Sequence, residues 1–93
     1  MPMGNAGNMM MANIMIQNNG FMPDTLRISR GTMVTWSNMD MITHSISDAE
    51  GMFSSGDIPA GMSYQYTFTS GGTYSYYIMP QTMMKAGVVI VSN

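Results

Sequence analysis

The sequence predicts an all-β domain, an antiparallel sandwich of about seven to eight short strands. Two patterns carry this expectation. Apolar residues recur every second position, with no stretch at the 3.6-residue helical period. Clusters of Gly, Pro, Asn and Ser then punctuate the chain at the spacing of tight turns. With 93 residues there is room for one domain and one core.

Residues 1–11 lack periodicity and mix Met with Gly, Asn and Ala, so they read as a flexible Met-rich arm preceding a domain over 12–93. The strands follow in order. Segment 13–17 places Ile14 and Ile16 on one face; 25–30 does so with Leu26 and Ile28; 32–37 with Val34 and Trp36; and 43–48 with His44 and Ile46. Segment 63–69 presents Tyr64, Tyr66 and Phe68, 73–78 presents Tyr74, Tyr76 and Ile78, and the valine-rich run 87–92 closes the chain. In most of these the alternate positions hold Ser, Thr, Arg or Gln, as expected of a strand with one solvated face. Turns are expected at Asn18-Asn19-Gly20, Arg30-Gly31, Ser37-Asn38, Pro59-Ala60-Gly61 and Ser70-Gly71-Gly72. Met15, Met22, Met33 and Met52 are expected in or beside the core, since Met fills irregular gaps well.

Composition excludes several functions. Three basic residues against five acidic ones, for a net charge of -2, provide no patch to neutralise phosphates, so neither nucleic acid nor an anionic membrane surface is an expected partner. No apolar run approaches the ~20 residues of a membrane span, and residues 1–8 lack the basic start and apolar centre of a signal peptide. The absence of cysteine removes disulfides, thiolate nucleophiles and cysteine-based zinc sites. With a single histidine and scattered carboxylates (Asp40, Asp48, Glu50, Asp57) no hydrolytic triad or acid/base pair can be assembled, and no enzyme class finds support.

The remaining signal is fifteen methionines and a set of ordered motifs. Phe21-Met22-Pro23-Asp24-Thr25-Leu26-Arg27-Ile28 is followed by Gly31-Thr32-Met33-Val34-Thr35-Trp36-Ser37-Asn38-Met39-Asp40 and His44-Ser45-Ile46. Phe53-Ser54-Ser55-Gly56, Ile58-Pro59-Ala60-Gly61 and finally Gly72-Thr73-Tyr74-Ser75-Tyr76-Tyr77-Ile78-Met79-Pro80-Gln81-Thr82-Met83-Met84 complete them. Over about 80 residues this resembles the cupredoxin family, plastocyanin and amicyanin among them. The resemblance implies a Greek-key sandwich with a metal at one end, held by two histidines, a cysteine and a weak axial methionine. Carried over, those positions are His44, Gln81, Ile78 and Met84, so the thiolate and one imidazole are replaced. Ile78 is expected to continue the inward series of Tyr74 and Tyr76, and Gln81 to be a surface residue.

Imidazole plus thioethers form a neutral, soft donor set that suits Cu(I) and needs no deprotonation. In the family topology the loops 38–43, 58–63 and 79–85 converge. The expected ligands are therefore His44 and Met84, with Met39, Met41, Met79 and Met83 as a pool supplying one or two more; Met62 lies in the same loop set. Met1, Met3, Met9, Met10 and Met11 resemble the loose tracts of copper-handling proteins, and would form a second, weaker site at the opposite end. The function implied is copper trafficking, sensing or tolerance in the periplasm or outside the cell, with copper, as Cu(I), and a donor or acceptor protein as partners. Two other readings stand beside it: a metal-free sandwich serving as an interaction module, and a blue-copper electron carrier altered at two ligand positions.

Overall fold

A computed structural model describes residues 10–18, 20–79 and 86–92. Eight strands form two four-stranded sheets: β1 Met11–Gln17, β2 Gly20–Met22, β3 Thr25–Ser29, β4 Met33–Asn38, β5 Ser45–Asp48, β6 Ser63–Thr67, β7 Gly72–Met79 and β8 Ala86–Ser92. One sheet runs β2-β1-β4-β6 and the other β3-β8-β7-β5. The sandwich expected from the alternation is present. β1 begins at Met11, one residue inside the segment read as an arm, and residues 1–9 lie outside the described residues.

Both sheets are mixed. β1 pairs parallel with β4 and β3 parallel with β8, while the remaining pairings are antiparallel. The chain leaves the first sheet after the short strand β2, crosses to the second as β3, and returns as β4. That excursion lets β4 lie beside β1 in the same direction. Alternation reports which face a residue occupies but carries no information on strand direction, so the antiparallel expectation fails at these two pairs. β2, three residues long, is too brief to show a period. Its hairpin with β1 turns at Asn18, held at φ 56°, a left-handed conformation that Asn tolerates better than most residues.

The core lies between the sheets. Ile14, Ile16, Val34, Trp36, Ile46, Phe53, Ile58, Phe68, Tyr76, Ile78, Val89 and Val91 are buried, with Leu26, Ile28, Tyr64, Tyr66 and Tyr74 packed around them. Trp36 is its centre, with ring centroids 5.4 Å from Tyr76, 5.6 Å from Phe53, 5.8 Å from Tyr64 and 6.3 Å from Phe68. Phe53 reaches this cluster because the buried Asp48 carboxylate accepts the N–H groups of Glu50 and Met52, each at 3.0 Å, and so folds the loop after β5 back on itself. Met15, Met22 and Met52 do not join the core: they are exposed, whereas Met33 is half-buried.

Burial pushes the Tyr76 phenol up to about 12; the Trp36 N–H beside it opposes the shift without completing hydrogen-bond geometry, and the Asp24 charge adds to it. The folded phenol thus keeps its proton where the unfolded one, near pH 10, loses it. Between those values the unfolded state binds fewer protons, so stability falls as pH rises from about 10 to 12 and is unaffected by this group below that range. A denaturation series across alkaline pH should show this decline, and Tyr76→Phe should flatten it.

Candidate metal centre

The parallel pairing of β1 with β4 fixes which end of the sandwich carries the ligand loops. β4 ends at Asn38, opposite Ile16. At the same end β7 reaches Met79 in register with Ser45, and β8 begins at Ala86. Met10, Met11 and Met33 fall at the opposite end, as Met33 donates its N–H to the Met10 carbonyl at 2.9 Å.

Asn38 ties the loops together. Fully buried, it donates through Nδ2 to the carbonyls of Ile42 and Ile58, each at 2.8 Å, and accepts the Asp40 N–H at 3.0 Å through Oδ1. Its own N–H donates to Met62 and its carbonyl accepts from Gly61, at 2.9 and 2.8 Å. Met39 in turn donates to Ile16 at 2.8 Å. Every polar group of Asn38 is thereby used to hold loops 38–44 and 58–62 in one arrangement, which explains a buried amide at a strand end.

His44 follows from that arrangement. Its N–H donates to the Ile58 carbonyl at 3.1 Å and its carbonyl accepts the Ile58 N–H at 2.6 Å. Only 2 % of the residue is exposed. Its Nε2 lies 2.7 Å from Asp40 Oδ2, and Asp40 Oδ1 accepts the Asn18 N–H at 2.7 Å. A carboxylate can only accept, so Nε2 carries the proton, and in the neutral ring the electron pair then resides on Nδ1. A carboxylate behind an imidazole is the arrangement that orients and polarises metal-binding histidines. Asp40 was visible in sequence only as part of a motif; its four-residue separation from His44, within a loop closed by Asn38, was the signal for its role.

Around His44, Met39, Met41 and Met62 are exposed by 56, 94 and 57 %, so this end presents thioethers to solvent. Met79 is placed by its backbone beside Ser45. Gln81, Met83 and Met84 lie outside the described residues. Ile78 is buried in the core, in register with Ile46, as the inward series of β7 requires. Its side chain offers only carbon at the position where a thiolate would be needed, so the donor set does not fit a blue-copper centre. What remains at this end is an imidazole oriented by Asp40, with thioether side chains on the adjoining loops, donors of the soft and borderline kind. Among the described residues no three His, Cys, Asp or Glu side chains gather into a harder site, and no helix is long and apolar enough to cross a membrane.

Comparison with known proteins agrees with this frame. Residues 8–92 match the family described as copper binding proteins, plastocyanin/azurin family. Amicyanin-alpha of Methylorubrum extorquens is 31% identical over 75 residues, covering 75% of this chain and 63% of that protein. Amicyanin of Paracoccus denitrificans is 30% identical over 70 residues, covering 70% and 53%. The chain thus spans between half and two thirds of the length of these relatives. A purple cupredoxin from Nitrosopumilus maritimus superposes with a TM-score of 0.78 at 30% identity, over 87% of this chain and 99% of that one.

Proposed function

We propose that the chain, which belongs to the plastocyanin/azurin family of copper-binding proteins, binds Cu(I) through His44 and methionine thioethers and hands it to other proteins without redox turnover. The observation that carries this reading is the His44–Asp40 contact of 2.7 Å at an end face lined by Met39 and Met41, combined with carbon at position 78. Met84, Met79 and Met83 complete the proposed donor pool. Bound copper would act here as cargo. Neutral sulfur donors release a soft ion by stepwise ligand exchange, and exposed ones admit an incoming partner's ligands before the last bond breaks. Copper trafficking, sensing or tolerance in the periplasm or extracellular space follows as the role.

The test is an anaerobic Cu(I) titration against a colorimetric chelator. One-to-one binding that depends on His44 supports the proposal, and binding that is absent or indifferent to His44 ends it. Asp40→Asn, close in shape but neutral, should weaken Cu(I) binding by about 10–100-fold, as the loss of an orienting carboxylate does elsewhere. An unchanged affinity would remove Asp40 from the site.

A second reading, a metal-free interaction module, draws on Ile42, 52 % exposed between Met41 and the buried His44. An end face carrying Met39, Met41, Ile42 and Met62 is apolar enough to dock a protein. Partner capture that survives His44→Ala in copper-free buffer would favour it.

A further inference from the structure

Two of the three methionines expected in the core but found on the surface, Met15 and Met22, face each other across a strand pair. β1 and β2 are antiparallel, with Met15 directly opposite Met22 and the next pair, Ile16 and Phe21, buried beneath the sheet. Because successive residues alternate faces, Met15 and Met22 both rise from the outer face, where they are 37 and 62 % exposed. On the same sheet Met11 stands in register with Met33, so methionine meets methionine at two of the register positions of β1.

Directly opposed residues of an antiparallel pair hold their Cβ atoms ~4.5–5.5 Å apart. Two metal–sulfur bonds of roughly 2.3 Å place the sulfurs of a linear S–metal–S unit at a similar separation. The flexible Met side chain can meet that requirement without moving the backbone. We propose that Met15 and Met22 form a bis-thioether site for a soft monovalent cation, Cu(I) or Ag(I), on the outer face of the β2-β1-β4-β6 sheet. It is built from other residues than the His44 site: Met15 stands in register with Ser37, one residue short of Asn38, and both methionines rise from the outer face of the sheet. Two neutral sulfurs and no anionic donor make it a site for d¹⁰ monovalent ions and a poor one for Zn(II) or Cu(II). Position on the edge strand β2 leaves the ion accessible from solvent, suiting transient capture.

The proposal stands independently of the His44 site, and the experiment separates the two. The full chain, labelled at the Met ε-methyl groups, is titrated with Ag(I) and followed by NMR. The Met15 and Met22 methyl signals should shift together with a common midpoint, and should do so equally in His44→Ala. In Met15→Leu, which conserves volume on an exposed face, the Met22 midpoint should move to roughly 100-fold higher Ag(I), the lower end of what two tethered contacts gain over one. Met33→Leu should leave it unmoved. If Met22 responds to Ag(I) identically in Met15→Leu, if neither signal shifts, or if the shift depends on protein concentration as bridging between copies would, the pair is not a site.

Discussion

His44→Ala is expected to abolish tight Cu(I) binding while leaving the sandwich folded. The imidazole is the strongest donor in the proposed set, and its ring is held by Asp40, which is itself held by the Asn18 N–H. Removing a carboxylate behind a ligand costs about 10–100-fold in affinity, so removing the ligand should cost more than about 100-fold. The fold should tolerate the change because His44 is anchored by backbone: its hydrogen bonds to Ile58 run through N–H and carbonyl and persist in alanine. Asn38, which closes the loop through Ile42 and Ile58, is untouched. Asp40 keeps one backbone donor and remains partly open to water, so no carboxylate is stranded. The measurement pairs the Cu(I) competition titration with circular dichroism of the same sample. A folded variant that still binds one Cu(I) with native affinity would show that the thioethers alone hold the metal, and the site would have to be redrawn around Met39, Met41 and their neighbours. An unfolded variant is replaced by His44→Gln, which keeps a polar side chain of similar reach for Asp40 but supplies no imidazole.

The contrast between what was legible in the chain and what was not follows from the physics of strands. Burial of Ile14, Ile16, Trp36, Tyr76 and Ile78 could be read because a side chain's face is a local property with a period of two. Pairing direction could not, since β1 meets β4 through a crossing of the sheets that no local residue encodes. Met15 lies between the inward Ile14 and Ile16, so the period of two already placed it on the outer face, against the expectation that it fills the core; Met22, in a strand of three residues, is placed only by its register opposite Met15. At the metal end, His44 was marked by its motif and Asp40 by its four-residue separation from it, whereas the bracing of Asp40 by Asn18 depends on a loop meeting a hairpin 22 residues away. Ile78 was the clearest case: a residue type incapable of coordination, at the end of an inward series, could only pack.

Gly87→Ala should produce a large loss of stability from the smallest of changes. Gly87 lies in register with Tyr76 across β7 and β8, and the Tyr76 ring lies over its Cα. A methyl group there meets Cζ and the hydroxyl of Tyr76 well inside contact distance, and Cε2 at 2.7 Å. The ring has no room to withdraw, being fully buried with Phe21 edge-on at 4.6 Å and Trp36 edge-on at 5.4 Å. Relief must come from backbone movement at the start of β8 or from disturbing the aromatic centre of the core, and overpacking of this kind costs about 1–3 kcal/mol. For a domain of this size each kcal/mol lowers the melting temperature by roughly 4–8 °C. A stability loss from the general strand preference against small residues would have the opposite sign, since alanine normally improves on glycine inside a strand. The discriminating partner is Tyr76→Leu, which shortens the side chain facing position 87. If the clash is the cause, Gly87→Ala should cost far less in the Tyr76→Leu background than alone, giving a favourable coupling energy in the double-mutant cycle. Additive losses would place the effect elsewhere than in the Tyr76 ring. Because β8 begins at Ala86, beside the β7 end that faces Ser45, the same substitution should also weaken Cu(I) binding, linking core packing to the geometry of the metal end.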